Sequence, residues 1–298
     1  MDYLTEFNLK NINFDATTTL DNFNWVNAFG TATNRFNIGY KPFMAFRAIG
    51  ALIIFASFIA TLTQYSDSSC IKYWPIYLTN WNLCLSMAYT ASGALTTYNI
   101  HRYGDTYDPL IIPTHVQFHW LLQNPAFVTS LVVPILFWPG CAIASNPPDS
   151  CYPSQVPTTA FVHGINSAIV VADVIVSNQP YMVLHGIYAI GFGGLYMTWT
   201  YVHHALKIGN CENPDSYTPI YEFVDWGHGF NLYKGFICLL GIPLVNFVGW
   251  YIYYKKKSKI HNLDKAKPAL GIEYDATNSN IIETETYTVN YNDHLLNM

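Results

Sequence analysis

Six apolar stretches alternate with short polar segments along this 298-residue chain. Each stretch is about as long as the roughly 20 residues that a helix needs to cross a bilayer core. The predicted fold class is therefore all-α: a polytopic membrane protein whose single domain is one bundle of six transmembrane helices. The predicted spans are residues 43–63, 74–98, 119–141, 158–177, 181–203 and 232–254.

The two ends of the chain lack this apolar pattern. Residues 1–42 are predicted to form a polar cytosolic tail, with a short interfacial segment around Trp25 as the alternative. A charged start followed by an apolar run would indicate a cleavable signal peptide, and this segment does not have that pattern. Residues 255–298 open with a basic run and continue into a Thr- and Asn-rich stretch, which predicts a disordered cytosolic tail.

Composition supports the membrane assignment. Of all residues, 51% are hydrophobic and only 11% are charged, whereas soluble domains carry about 25% charged residues. No basic patch interleaved with aromatic residues is present, which argues against nucleic acid as a partner. The lipid bilayer is the predicted partner, and the sequence indicates no particular protein partner.

Charged residues beside the spans predict the orientation. Basic residues accumulate on the cytosolic side of membrane proteins. Lys41, Arg47, Arg102 and the lysine-rich run 255–259 fall on one side of the predicted bundle. An even number of spans then places both termini in the cytosol, in the plasma membrane or the endoplasmic reticulum.

Four cysteines fall in the loops that this topology assigns to the lumen or exterior: Cys70, Cys141, Cys151 and Cys211. That side is oxidising, so disulfides persist there. The predicted pairs are Cys141–Cys151 within one loop and Cys70–Cys211 between loops. Four free thiols are the alternative.

Ionisable residues lie inside the spans, where charge is costly and functional sites are expected. The segment 177–180 predicts a tight turn between two spans, with Asp173 and His185 each six residues from Gln179. Equal rise per residue would place these two side chains at one depth, within hydrogen-bonding reach. A structural ion pair that fixes helix packing is the alternative for Arg47 and Asp173. The predicted intramembrane polar cluster comprises Arg47, His119, Asp173 and His185.

A second polar group is predicted near the outer face: Thr79, Asn80, His163 and Asn166. A hydroxyl needs an adjacent base to become a nucleophile, and Thr79 and His163 are predicted at matching depth. The alternative is structural, because a threonine within a span usually bonds the carbonyl four residues earlier.

His115 and His119 lie four residues apart and could share a helix face as haem or metal ligands. Pro113 and the predicted position at the border of a span weaken this interpretation. We predict no bound metal or cofactor, and keep a histidine-ligated haem redox protein as a third functional alternative.

Several short motifs recur in the order and spacing of a known family. They are YLTNW at 77–81, HGINS at 163–167 followed by Asp173, Pro180 and His185, and PIYEFVDW at 219–226. Over most of residues 43–254 the chain resembles the rolling stone family of multi-pass membrane proteins. The best-known member of that family is linked to myoblast fusion in insects. The resemblance therefore implies a membrane component acting in cell–cell contact or fusion.

The rolling stone family is distantly similar to the androgen-induced membrane hydrolases, which cleave fatty acid esters of hydroxy fatty acids with an intramembrane threonine and a histidine. Thr79 matches the Leu-Thr context of that nucleophile. Their histidine ends a His-Gly-x-His motif, where this chain keeps His163 and has Asn166 in the last position. The resemblance implies a hydrolase of fatty-acyl esters, with Asn80 or Asn166 donating to the oxyanion. Hydrolase and non-enzymatic alternatives both stay open.

Overall fold

The computed structural model describes residues 24–33, 36, 38–67, 70–108, 111–143, 157–211, 216–221, 224–227, 233 and 240–255. These residues are almost entirely helical, which confirms the predicted all-α class for this part of the chain. We number the helices α1 (Trp25–Gly30), α2 (Tyr40–Asp67), α3 (Leu78–Tyr103), α4 (Thr114–Ile143), α5 (Pro157–Val176), α6 (Gly186–Ala205) and α7 (240–255). Short 3₁₀ turns occupy Ile71–Ile76, Gly104–Thr106 and Val183–His185.

Each predicted span overlaps a helix of the described residues, but the helices differ in character. Among the described residues, three helical segments are long and apolar enough to cross a membrane: Tyr40–Ser66, Thr114–Ala142 and Pro157–Val176. Helix α3 is more polar because several of its side chains face the interior of the bundle, including Asn82, Ser86, Thr90 and Thr97. Spans at α3, α6 and α7 stay a prediction.

Helix α3 begins later than the predicted span at residue 74. Pro75 lies in the preceding 3₁₀ turn, and Tyr77 is the extended N-cap residue of α3. Proline has no backbone N–H and favours such a position before or at the start of a helix. The result is that Thr79 lies in the first turn of α3 and not deeper within it.

Helix α1 lies within the predicted polar tail, yet it packs into the core. Trp25 and Phe29 are fully buried, in one cluster with Ile100, Trp120 and Met182. Asn24 caps this helix by accepting a hydrogen bond from the backbone N–H of Asn27. The interfacial alternative named Trp25, but the aromatic ring packs against other helices of the protein.

The connection between α5 and α6 differs from the predicted tight turn. Residues 177–182 are extended and almost wholly buried, and a 3₁₀ turn precedes α6. Buried backbone that is not helical must find hydrogen bonds within the protein. Here Trp120 donates to the Pro180 carbonyl and Asn124 to the Met182 carbonyl, each at 3.0 Å.

The start of this connection pairs with the segment after α1. Ala32 and Ser177 form an antiparallel β-bridge. The backbone N–H of Thr33 donates to Val176 at 2.8 Å, and that of Asn178 donates to Thr31 at 3.1 Å. The N-terminal segment therefore fastens the end of α5.

Candidate functional site

Two residues predicted as nucleophile and base line the same cavity. Thr79 from α3 and His163 from α5 both contribute to its wall, and the cavity volume is about 450 Å³. Asn80 lines it as well. The other described lining residues are Thr61, Gln64, Tyr65, Cys70, Tyr77, Phe137, Thr158, Thr159, Val162, Cys211 and Tyr221.

Local structure at the start of α3 positions Thr79. The Asn80 side chain donates to the Trp74 carbonyl at 2.7 Å, which ties the first turn of α3 to the preceding 3₁₀ turn. The backbone N–H of Leu78 donates to the Tyr221 hydroxyl at 3.2 Å. The first N–H groups of a helix have no partner within it and form its positive end. Thr79 therefore lies where developing negative charge is stabilised.

Tyr221 is a site residue that the sequence analysis missed. It is partly buried, it lines the cavity together with Thr79, and its hydroxyl accepts a hydrogen bond from the backbone of Leu78, next to Thr79. Burial raises the pKa of Tyr221 to about 12, so the phenol is neutral and keeps its proton at physiological pH. Tyr221 belongs to the PIYEFVDW motif. The sequence analysis used this motif for the family resemblance but assigned no chemical role to its residues.

His163 lies in a π-helical turn, Phe161–Ile165, inside α5. Such turns interrupt the regular bonding of a helix and occur frequently at functional sites. The His163 carbonyl accepts a hydrogen bond from Trp138 at 3.1 Å, and its ring packs edge-on against Phe137 with 3.6 Å between centroids. The ring is thus held in place by α4, while its buried Nδ1 makes no hydrogen bond.

Asn166 does not join this group. It is 1% exposed, and it is not among the cavity-lining residues. Neither its amide nitrogen nor its amide oxygen makes a hydrogen bond. The structure brings Thr79, Asn80 and His163 to one wall and leaves Asn166 inside the bundle, one helical turn beyond His163.

Two of the predicted disulfide cysteines close the cavity wall. Cys70 and Cys211 form a disulfide across 141 residues, with their Cα atoms 5.4 Å apart, as predicted. This bond links the turn before α3 to the segment after α6. Cys141 is also disulfide-bonded, and Cys151, its predicted partner, lies outside the described residues.

The other predicted group is built on a buried ion pair. Arg47 Nε donates to Asp173 Oδ1 at 2.7 Å, and Nη2 donates to Oδ2 at 3.1 Å. The Tyr89 hydroxyl also donates to Oδ2, at 2.6 Å. Both charged side chains are nearly inaccessible to solvent. This bidentate arrangement is the strong form of an arginine–carboxylate contact.

The rest of the Arg47 guanidinium is also engaged. Its Nη1 donates to the Thr97 hydroxyl at 2.9 Å and to the carbonyls of Phe29 and Gly93, each at 3.3 Å. One side chain thereby joins α1, α3 and α5. We call Arg47, Asp173, Tyr89 and Thr97 the Arg47 cluster, and its satisfied hydrogen bonds indicate a structural role.

His119 lies beside this cluster and is packed on several sides. Its ring stacks on Tyr89 with 4.9 Å between centroids, and Nδ1 lies 3.1 Å from the Ser92 hydroxyl. A Cβ atom at Gly93 would come within 2.8 Å of the His119 ring. Glycine at that position is therefore required for the ring to lie against α3.

Asp173 and His185 each have other neighbours than the predicted contact, which was expected directly or through one water. Arg47 and Tyr89 occupy the Asp173 carboxylate, and the His185 ring packs edge-on against Trp120 at 5.0 Å between centroids. The prediction assumed helical rise on both sides of Gln179. Because residues 177–182 are extended, that rise does not apply.

Comparison with known proteins supports the resemblance read from the motifs. The chain is 23% identical to Protein rolling stone of Drosophila melanogaster over 249 residues, which cover 76% of this chain and 84% of the relative. The predicted resemblance to rolling stone is confirmed. No protein-family model matches the chain. No solved structure matches it either.

Similarity to rolling stone covers most of both chains, but at this identity it does not assign the chemistry of the cavity. The identity and coverage support a rolling-stone-like membrane protein. The roles of Thr79, His163 and Tyr221 must therefore be argued from their own geometry.

Proposed function

We propose that this rolling-stone-like protein is a six-span intramembrane hydrolase of lipid esters, with Thr79 as nucleophile and His163 as general base. The observation that carries the proposal is that Thr79 and His163 line one cavity of about 450 Å³. That volume is within the usual range of small-molecule sites, about 300–1,000 Å³. A hydroxyl, an imidazole and hydrogen-bond donors in one enclosed space are the parts that acyl transfer requires.

The reaction follows the logic of a nucleophile and its base. Thr79 Oγ1 attacks the ester carbonyl carbon while its proton passes to His163. The tetrahedral intermediate collapses, the alkoxide leaves, and the protonated His163 returns the proton to it. Water, deprotonated by His163, then attacks the acyl-threonine and releases the fatty acid.

The negative oxygen of the intermediate needs donors already in place, each worth about 3–4 kcal/mol in acyl-transfer enzymes. The first turn of α3 offers its positive end, and the neutral Tyr221 hydroxyl, which accepts a hydrogen bond from Leu78 at 3.2 Å, belongs to the same cavity as Thr79. We assign the oxyanion role to these groups before Asn80, because the Asn80 amide already holds the Trp74 carbonyl. Asn166 is too buried to serve directly.

The cavity would face the oxidising side of the membrane. Its wall contains the Cys70–Cys211 disulfide, and disulfides persist in the lumen or exterior. With six spans, both termini are then cytosolic. This supports a position in the endoplasmic reticulum or the plasma membrane, where an acyl ester enters from the outer leaflet.

Labelling with a fluorophosphonate hydrolase probe tests the proposal. Purified wild-type protein should be labelled, and Thr79→Ala and His163→Ala should each lose the signal. Thr198→Ala is the matched control, because this exposed threonine bonds only the Gly194 carbonyl at 2.9 Å, in an ordinary helical contact. Absence of wild-type labelling in properly folded protein would refute the nucleophile.

Asn166→His is a second test of the same chemistry. It restores the histidine of the His-Gly-x-His motif, and the buried amide it replaces makes no hydrogen bond. An increase in labelling or ester cleavage is expected if an imidazole there supports His163. If wild type and Asn166→His are both folded and both inactive, the hydrolase proposal is refuted.

A non-enzymatic membrane component in cell–cell contact or fusion is the second candidate. One observation favours it: the residues on both sides of Thr79 make hydrogen bonds that hold the start of α3, Leu78 to Tyr221 and Asn80 to Trp74, which suits a structural role for this turn. Under this function Thr79→Ala would lower the stability of the protein, and neither wild type nor the variant would be labelled by the probe. Cell mixing assays with Thr79→Ala would then show near wild-type fusion.

A further inference from the structure

The wall of the cavity combines apolar and aromatic side chains with hydroxyl and amide groups, and it contains no formal charge among its described residues. None of the described lining residues is Lys, Arg, Asp or Glu. Hydroxyl and amide groups supply the polarity, from Thr61, Gln64, Thr158 and Thr159 in addition to the residues already described. Such groups both donate and accept hydrogen bonds, so they suit ligands that carry hydroxyl groups.

Two described lysines, Lys72 and Lys207, contact aromatic rings and not the cavity. Lys72 Nζ lies 4.9 Å from the centre of the Tyr73 ring, and Lys207 Nζ lies 5.1 Å from that of Tyr217. Neither lysine lines the cavity. Both therefore make cation–π contacts outside it.

Sequence next to the lining residues adds no positive charge. Residues 68–69, 212–215 and 222–223 adjoin Cys70, Cys211 and Tyr221, and they lie outside the described residues. These segments contain no Lys or Arg, and they contain Glu212, Asp215 and Glu222.

An anionic headgroup would lose its hydration in such a cavity without gaining a counter-charge from the described lining residues. Burying an unpaired carboxylate or phosphate is strongly unfavourable, whereas a hydroxyl group recovers its hydrogen bonds from threonine and amide side chains. The same wall therefore discriminates between headgroups by charge.

We propose, on the basis of the hydrolase function above, that the cavity accepts esters with an uncharged, hydroxyl-bearing headgroup, of the monoacylglycerol type, and rejects phosphate headgroups. The glycerol and ester lie beside the polar groups near Thr79. The acyl chain leaves through the open side of the cavity, whose rim includes the exposed Gln64.

A matched pair of probes tests this specificity. 1-Oleoylglycerol and 1-oleoylglycerol 3-phosphate share the acyl chain and the ester and differ only in the phosphate. Full-length Thr79→Ala protein in nanodiscs holds the probes without turnover, and displacement of tritiated 1-oleoylglycerol measures both affinities. The phosphorylated probe should bind at least about tenfold more weakly.

Adding a cation to the wall should reverse the preference. Gln64→Lys places an ammonium at the cavity rim and should strengthen binding of the phosphorylated probe by about tenfold. Thr63→Lys is the matched control, since Thr63 is exposed, bonds the Ile59 carbonyl and does not line the cavity. That control should leave the preference of the parent protein unchanged.

The outcomes separate this inference from the hydrolase proposal. Equal or tighter binding of the phosphorylated probe, or binding of neither probe, would overturn the headgroup specificity even in an active enzyme. Selective binding of 1-oleoylglycerol by Thr79→Ala, with no cleavage by wild type, would support the ligand class and refute the hydrolase.

Discussion

Removal of the charge at Asp173 is expected to destabilise the protein strongly. Its carboxylate receives two hydrogen bonds from Arg47 and one from Tyr89, at 2.7, 3.1 and 2.6 Å. Asp173→Asn keeps the shape but leaves the buried guanidinium without its counter-charge. Breaking one partner of a buried ion pair costs about 3–5 kcal/mol.

The neighbouring hydroxyl provides a scale for this effect. Tyr89→Phe removes a single hydrogen bond to a charged group, worth about 1.5–3 kcal/mol. Tyr98→Phe in the same helix is the control, because Tyr98 is 50% exposed and surface changes usually stay within about 0.5 kcal/mol. The predicted order of stability is wild type and Tyr98→Phe, then Tyr89→Phe, then Asp173→Asn.

Thermal unfolding of detergent-purified protein can be followed with a thiol-reactive fluorogenic dye, because Cys84 is a free, half-buried thiol in α3. A loss of about 3–5 kcal/mol corresponds to a fall in Tm of about 6–20 °C for a chain of this size. A double variant with Arg47→Met should recover part of the loss, since the orphaned charge is gone. A fall below about 2 °C for Asp173→Asn would refute the buried ion pair.

Three further substitutions test other contacts by the same unfolding assay. Gly93→Ala should cost about 1–3 kcal/mol, because its methyl group meets the His119 ring; an unchanged Tm would contradict that packing. Trp25→Ala should cost about 3–5 kcal/mol, since the fully buried ring anchors α1, whereas a mobile tail would show no effect. Replacing both cysteines of the described disulfide, Cys70→Ser with Cys211→Ser, should cost about 2–4 kcal/mol by opening that link, and an unchanged Tm would contradict it.

Sequence patterns were sufficient for the all-helical class of the described residues and for the apolar helices long enough to cross a membrane. Thr79 and His163, which were predicted at matching depth, line one cavity. The loop positions of Cys70 and Cys211 led to their pairing. These features follow from periodicity and topology, which a single sequence contains.

Other features depend on contacts between distant parts of the chain. Tyr221 reaches Leu78 across 143 residues, and no local pattern encodes that distance. The non-helical segment 177–182 is held by distant groups: Trp120 and Asn124 bond its carbonyls, and Thr31 accepts from Asn178. The sequence therefore predicted a tight turn between the two spans, because these distant donors could not be assigned from the sequence.

Hydrogen bonding separates the two polar groups into different roles. In the Arg47 cluster every nitrogen of the guanidinium donates to an acceptor, so a ligand would have to break existing bonds. At the cavity, by contrast, Thr79 and His163 line open volume that a ligand can enter. Chemistry is therefore expected at Thr79 and His163, while Arg47 and Asp173 hold the helices that present them.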